Sequence, residues 1–359
     1  MSDTSIRLGD VATYINGYAF KPEDRGNEGL PIIRIQDLTG NAYDLGFYNG
    51  DYPEKIEIND GDVLISWSAS LGVYIWNRGK ALLNQHIFKV SFDKAPIDKQ
   101  YFVYAVRYKL AEMGSKTHGA TMKHIVKKDF DATLIPYPSI SEQEDIALKL
   151  NKASSIIEAR QQELQKLDGL IKARFVELFG TYPVNEKGWD TGTIRDLVTE
   201  VRYGSSRKAA EGDSGKYPYL RMNNITYNGE LDLTDTKTID IPDEELEKCT
   251  VRRGDLLFNR TNSKELVGKT CVYNRDEMMV LAGFVVRVRL NDRALPEFVS
   301  AFMNTDFSKQ MLLGMCKAAI GQANINAQEL QNIGIYIPPI YIQKDFVSFK
   351  DQVDKSKVA

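Results

Sequence analysis

The chain writes one junction twice. IPYPSISEQEDI at residues 135–146 returns as IYIPPIYIQKDF at residues 335–346, and the likeness reaches back through each copy. IRLGDVATYING (6–17) is matched by IRDLVTEVRYG (194–204), and LPIIRIQDL (30–38) by YPYLRMNNI (217–225). GDVLISWSASLG (61–72) then faces GDLLFNRTNSKELVG (254–268), and TMKHIVKKDF (121–130) faces GQANINAQEL (321–330). Asp10 stands opposite Asp196, Thr13 opposite Thr199, Gly17 opposite Gly204, Pro31 opposite Pro218, Arg34 opposite Arg221 and Gln143 opposite Gln343. The offset grows from 186 to 200 as loops lengthen. Blocks repeated in one order define a tandem duplication, so the two halves are expected to share a fold.

Each copy reads as mixed α/β. An amphipathic opening helix precedes strands such as IIRI and DVLISWS; a helical stretch (YFVYAVRYKLAEMG; EFVSAFMNTDFSKQMLLGM) and a last strand ending in proline follow. Gly-Asp marks the turn into a strand, and the alternation after it predicts one core face and one face free to bind.

Between the copies lies a long helix. Ser141 with Glu144 makes a capping box, and Pro138 blocks backward extension. Leu150, Ile157, Leu164, Ile171 and Leu178 recur every seven residues, with Ala153 and Leu167 between them, which is a coiled-coil seam. From Ser141 to Phe179 it would run roughly 57 Å. The second copy supplies a partner from about Gln343, with Phe346, Phe349 and Val353 on its apolar face. That partner reaches only about 25 Å by Ala359. The far half of the seam, Leu164 to Leu178, is therefore expected to be buried by a second protein.

Composition limits the function. The 359 residues are 43% hydrophobic and 26% charged, enough for two packed cores. No apolar run reaches a membrane span and MSDTSIRLGD lacks the features of a signal peptide, so a cytoplasmic location is expected. Cys249, Cys271 and Cys316 are too scattered for a disulfide framework or a paired-cysteine zinc site. A net charge of −3 excludes a polybasic coat; any nucleic-acid contact comes from local patches or through a partner.

The repeated LGDV/IRDLV starts, GDVLISWSASLG, LLNQHIFKV, GATMKHIVKKDF and IPYPSISEQEDI, with GDLLFNR, GQANIN and IPPIYIQ in the second copy, resemble the specificity subunit of type I restriction-modification enzymes. The resemblance spans the chain. It implies two pseudo-repeated target-recognition domains (1–138 and 181–338) separated by long antiparallel coiled-coil helices (139–180, and 339–359, which is about half as long). It also implies that the helices dock modification (N6-adenine methyltransferase) subunits, that each domain reads half of a split double-stranded DNA target, and that restriction/translocase subunits join through the complex. S-adenosylmethionine, ATP and Mg are then expected on partner subunits, with no cofactor in this chain. Self-association through the seam is a further expectation.

Catalytic motifs point the same way. Ile337-Pro338-Pro339-Ile340 puts apolar residues where an adenine methyltransferase needs an amide and a ring, and reads as a proline turn. No GxxxxGK[ST] loop is present, and His86, His118 and His124 lack carboxylates at ligand spacing. The chain is read as a non-catalytic subunit. A coiled-coil scaffold tethering two protein-binding modules, or a nuclease with an unrecognised site, are the alternatives.

Base edges are read by Arg, Asn, Gln, Ser and Thr, and phosphates by Lys and Arg. In the first copy these are Lys21, Arg34, Gln36, Ser66, Ser68, Ser70, Gln85, His86, Thr121, Lys123 and His124, with Tyr18 and Phe20 placed to pack on sugars. The second copy offers Arg202, Ser205, Arg207 and Lys208 in a basic loop, then Arg221, Asn223, Asn224, Asn259, Arg260, Thr261, Asn262, Lys264, Gln322 and Asn324. SWSAS against FNRTN is where the copies differ most, so they should read different sequences.

Overall fold

The computed structural model describes residues 4–40, 44–116, 125–316 and 323–358. The chain forms two units, Met1–Ala159 and Arg160–Ala359. In the first, the strands are β1 (Ser5–Arg7), β2 (Thr13–Asn16), β3 (Leu30–Ile33), β4 (Gly46–Tyr48), β5 (Glu57–Ile58), β6 (Val63–Ser66), β7 (Gly72–Ile75), β8 (Ala81–Leu83), β9 (Ile87–Ser91) and β10 (Leu134–Pro136). Its helices are α1 (Leu8–Val11), α2 (Ile35–Thr39), α3 (Lys99–Lys116) and α4 (Lys127–Asp131), and α5 (Ile140–Phe179) begins in it.

In the second unit the strands are β11 (Asp190–Thr193), β12 (Val198–Tyr203), β13 (Tyr217–Leu220), β14 (Lys237–Ile239), β15 (Thr250–Val251), β16 (Leu256–Asn259), β17 (Thr261–Asn262), β18 (Thr270–Val272), β19 (Met279–Leu281), β20 (Val285–Leu290), β21 (Ala323–Asn324) and β22 (Gly334–Ile337). Its helices are α6 (Asp243–Cys249), α7 (Pro296–Met303), α8 (Asp306–Met315), α9 (Ala327–Gln331) and α10 (Ile340–Ser356).

The duplication is visible in the sheets. Unit 1 has strand orders β2-β9-β6-β7 and β4-β3-β8-β5, and unit 2 has β12-β20-β16-β18 and β14-β13-β19-β15. In both, one parallel pair (β3 with β8, β13 with β19) sits among antiparallel neighbours. The opening helix is a single turn, α1, and its counterpart at Ile194–Leu197 is a 3-10 turn; the expected amphipathic helix is shorter than its apolar residues suggested. The second helical stretch is broken at Asn304-Thr305, where Thr305 caps α8.

The strand after Gly-Asp does not have a free face. Val63 and Ile65 of β6 pack with Phe102 and Phe130 in one cluster, while Leu64 packs with Ile33, Leu82 and Trp76 in another. A central strand buried on both sides reads as an unbroken apolar run. β16 repeats this, with Leu256 and Phe258 on one side and Leu257 on the other.

A cation ties the two sheets of each unit together. Lys89 Nζ donates to the Glu57 carbonyl (2.7 Å) and pairs with Asp62 of the Gly-Asp turn (3.1 Å). Arg287, at the matching place in unit 2, donates to the Thr250 carbonyl, and Arg289 pairs with the turn residue Asp255 at 2.9 Å.

Gly17 and Gly204 are required for space. An added Cβ would lie 2.0 Å from the Asn84 carbonyl oxygen in the first and 2.3 Å from those of Leu281 and Ala282 in the second. Gly204→Ala should therefore cost about 2 to 3 kcal/mol, seen as a lower urea midpoint at unchanged slope. Gly314→Ala in α8, with open space around it, should cost nothing. Equal effects of the two would defeat the packing argument.

The repeated junction is a buried glutamine clamp. Gln143 Oε1 accepts from the Asp98 amide (2.9 Å) and its Nε2 donates to the Pro138 carbonyl (2.9 Å). Gln343 Oε1 accepts from the Leu295 amide (2.8 Å) and its Nε2 donates to the carbonyls of Pro338 (2.7 Å) and Arg293 (3.0 Å). Both are fully buried, so each needs all of these partners. They fix the start of the long helix to the loop that opens α3 or α7.

α5 begins two residues earlier than expected. Ser139, not Ser141, caps it: Ser139 N and Oγ donate to Glu142 Oε2 at 3.0 and 2.8 Å, so Glu142 replaces Glu144 in the box. Pro138 leaves Ser139 as the first residue able to fill that place. Residues 140–159 of α5 lie in unit 1, where Gln143 and Ala147 are buried and Tyr104 of α3 donates to Asn151 at 2.8 Å. Residues 160–179 lie in unit 2, where Phe175 and Phe179 join the core.

α10 packs antiparallel on this second half. Phe346 lies against Phe175 (5.3 Å) and Phe179 (5.6 Å), while Lys357 at the other end pairs with Asp168 at 2.6 Å and its carbonyl accepts from Arg160. Arg174 lies 5.6 Å over the Phe349 ring. This corrects the expectation for the seam. Ile171 and Leu178 pack against the core of unit 2 itself and Leu164 is half-buried, so no second protein is needed there. In the near half the seam residues Leu150 and Ile157 are exposed, as are Leu148 and Ile156; in the far half Leu170 and Val176, off the seam, are exposed.

Candidate nucleic-acid interface

In each unit one corner gathers polar and aromatic groups where the central strand ends. In unit 2, Arg260 follows β16; its amide donates to the Phe284 carbonyl (2.9 Å) and its carbonyl accepts from Ile325 (2.9 Å). In unit 1, Trp67 follows β6, and makes the same two bonds with His86 (3.3 Å) and Ile125 (3.0 Å). Backbone turns after Gly17 and Gly204 close both corners, Gln85 donating to Tyr18 (2.9 Å) and Gly283 to Ser205 (2.7 Å).

The side chains there differ. Trp67 stacks on Phe88 at 5.5 Å and meets His86 edge-on at 4.9 Å; His86 has φ +71° and a buried Nδ1 without a partner. Tyr18, 43% exposed, packs edge-on against Phe20. In unit 2 the Arg260 guanidinium lies 4.9 Å over the Tyr203 ring, and the Tyr203 hydroxyl accepts from the Ala327 amide at 3.0 Å. Asn324 pairs through the backbone with Thr261, and Phe284 is exposed beside them.

Several sequence candidates have other work. Ser66 is fully buried and donates to the Ser70 carbonyl at 2.6 Å; Asn259, at the matching place, is fully buried with both amide atoms unpartnered. The alternation expected of Ser66, Ser68 and Ser70 fails because Ala69 turns the chain with φ +58°. Asn224 is buried, accepting from the Arg221 amide and donating to the carbonyls of Asp232 and Asp235. Ser205 and Thr261 are also buried. Arg34 grips Asp37 at 2.9 Å and the Asp44 carbonyl, and Arg221 grips the side chain and carbonyl of Asp235. These two arginines pin equivalent loops, which explains why the repeat keeps them.

The basic loop of unit 2 is largely neutralised. Arg202 pairs with Glu200 (3.1 Å) and Arg207 with Glu245 (2.6 Å). Hydrogen bonding from Arg202, with the charges of Arg287 and Arg289, holds the Glu200 carboxyl below its usual range despite some desolvation. Burial pushes Lys269, next to Asn259 across the sheet, below an ordinary lysine.

Exposed at the surface are Lys21, Gln36, Ser70, Gln85, Lys208, Asn223, Lys264 and Asn324, with Ser68, His86, Arg260 and Asn262 half-buried. Thr121, Lys123, His124 and Gln322 lie outside the described residues, as does His118. Trp67 and Phe284 were missed, although the repeat alignment that pairs SWSAS with FNRTN already sets Trp67 opposite Arg260.

A duplicated α/β chain with a shared helix and two diverged polar corners defines a recognition protein built of paired modules. The model of the type I restriction modification DNA specificity domain matches residues 4–168 and 186–359, and the chain belongs to that family, whose members give type I restriction-modification systems their DNA sequence recognition. It is 23% identical to the EcoBI specificity subunit of Escherichia coli over 97% of this chain and 78% of that one. Identity to the EcoKI specificity subunit of E. coli (strain K12) is 24%, over 96% and 80%. Its fold matches the S subunit from M. genitalium with a TM-score of 0.55 at 14% identity, covering 99% of this chain and 90% of that one. Among the described residues no helix is long and apolar enough to cross a membrane.

Proposed function

We propose that this specificity subunit reads a split double-stranded DNA target, one half with each unit, and docks methyltransferase subunits that carry out N6-adenine methylation. The observation that carries this reading is the pair of corners on equivalent backbones, Trp67–His86 in one unit and Arg260–Tyr203 in the other. Equivalent scaffolds with different side chains suit two unlike half-sites. Chemistry belongs to the partners: S-adenosylmethionine on the methyltransferase, and ATP and Mg on restriction/translocase subunits that join the complex. This chain supplies address, not reaction.

The docking surface is the near half of α5. Leu150 and Ile157 are exposed on one face there and Leu148 and Ile156 elsewhere around the helix, and so many exposed apolar side chains invite a protein partner. Self-association through the same residues would compete with docking.

Mapping the methylated motif in DNA exposed to the assembled complex tests the reading. Two unlike specific blocks separated by unread bases are expected. With a net charge of −3, the isolated chain should bind weakly and gain affinity from partner contacts to phosphate, the complex losing affinity steeply with salt. A single uninterrupted motif, or none, would overturn the proposal.

A further inference from the structure

We infer that Arg260 reads a guanine in the half-site assigned to unit 2, an inference that rests on the DNA-reading function proposed above. Four observations carry it.

First, Arg260 is aimed. Its backbone is held on both sides by Phe284 and Ile325, and its guanidinium carbon sits 4.9 Å over the ring of a tyrosine whose hydroxyl is itself fixed. Stacking on an aromatic face orients the planar fork and removes much of the rotamer freedom that binding would otherwise cost.

Second, it is unspent. Arg202, Arg207 and Arg221 all hold carboxylates. Arg260 has no carboxylate partner among the described residues, and its Nε is shielded from water without an acceptor. An oriented, unpaired guanidinium is built to receive two acceptors side by side, and in the major groove O6 and N7 of guanine present that pair.

Third, its neighbours suit a base edge. Asn324 is exposed on the adjoining strand, Thr261 and Asn324 pair across β17 and β21, and Phe284 offers an exposed ring.

Fourth, unit 1 cannot copy the contact. Trp67 occupies the equivalent place and turns its ring onto Phe88, so the preference for this guanine should belong to one half-site alone.

The test selects binding sites from randomised duplex DNA with the full chain assembled with its methyltransferase subunits, comparing wild type, Arg260→Gln and Arg260→Lys. The wild-type motif should contain a guanine in one half at which both variants lose about tenfold or more discrimination, the other positions being unchanged. Lysine keeps the charge but not the fork, so Arg260→Lys should keep affinity for unrelated DNA while losing the preference. Replacing that guanine by 7-deazaguanine, which removes N7, should weaken wild type and leave Arg260→Gln unaffected. An even loss of affinity over all sequences would make Arg260 a phosphate contact and overturn the inference, as would intact preference at every guanine. A wild-type complex that selects a split target with no position dependent on Arg260 removes this inference alone; one that selects no sequence removes the reading function as well.

Discussion

Phe346→Ala should cost unit 2 about 3 to 5 kcal/mol, the range for emptying a packed aromatic site. Phe346 is fully buried, and its ring contacts Phe175 and Phe179 of α5 edge-on. Its loss undoes more than one side chain, because its ring joins α10 to two rings of the second half of α5. At about 2 to 4 °C per kcal/mol for a unit of this size, the midpoint of its thermal transition should fall by roughly 10 °C. Phe349→Ala, only half-buried under Arg174, should cost far less. Calorimetry of both variants checks this. A loss below about 1 kcal/mol for Phe346→Ala would mean that α10 is a passive tail.

Exchanging residues 190–335 for the equivalent stretch of a relative with another target should replace one half of the recognised sequence and leave the other intact. The exchange keeps the Gln143 clamp, Gln343 with its Pro338 partner, and all of α5 and α10, and it carries the whole corner around Arg260. Preference for the old half-site should drop by about a thousandfold or more, the usual gap between specific and non-specific binding. Sequencing the methylated sites reads the outcome. If both halves change together, the units do not read independently.

Much of this fold was legible in the sequence because the chain states it twice. A Gly-Asp turn, a proline-ended strand and a glutamine recurring at fixed places gave the repeat and the helix between the copies. Local signals were less safe. The run VLIS reads as half-exposed if Ser66 is counted as polar, yet β6 has a layer on each face and buries that serine.

Charge pairing was the larger blind spot at the site. Arg207 meets Glu245, which is 38 positions away, and Arg34 meets Asp44 through a loop; neither is visible from composition. Basic residues chosen by type therefore included loop pins as well as candidate contacts. Packing of the seam was misassigned for a similar reason, since heptads show that a stripe must be covered but not which segment covers it. Ile171→Glu, which the seam alone suggests would spare both units, falls on a side chain packed against the core of unit 2.

The sharing of α5 also sets an order of events on the ribosome. The core of unit 1 closes on residues up to Ala147 and so is complete in sequence well before the second unit has been made. Phe175 and Phe179 emerge next; Phe298 packs on both rings, but Phe346, which also meets both, is made well after it. At about 5 to 20 residues per second, the aromatic face of the second half of α5 waits roughly 8 to 33 seconds for Phe346. During that interval the incompletely covered aromatic face favours association with neighbouring chains on the same message.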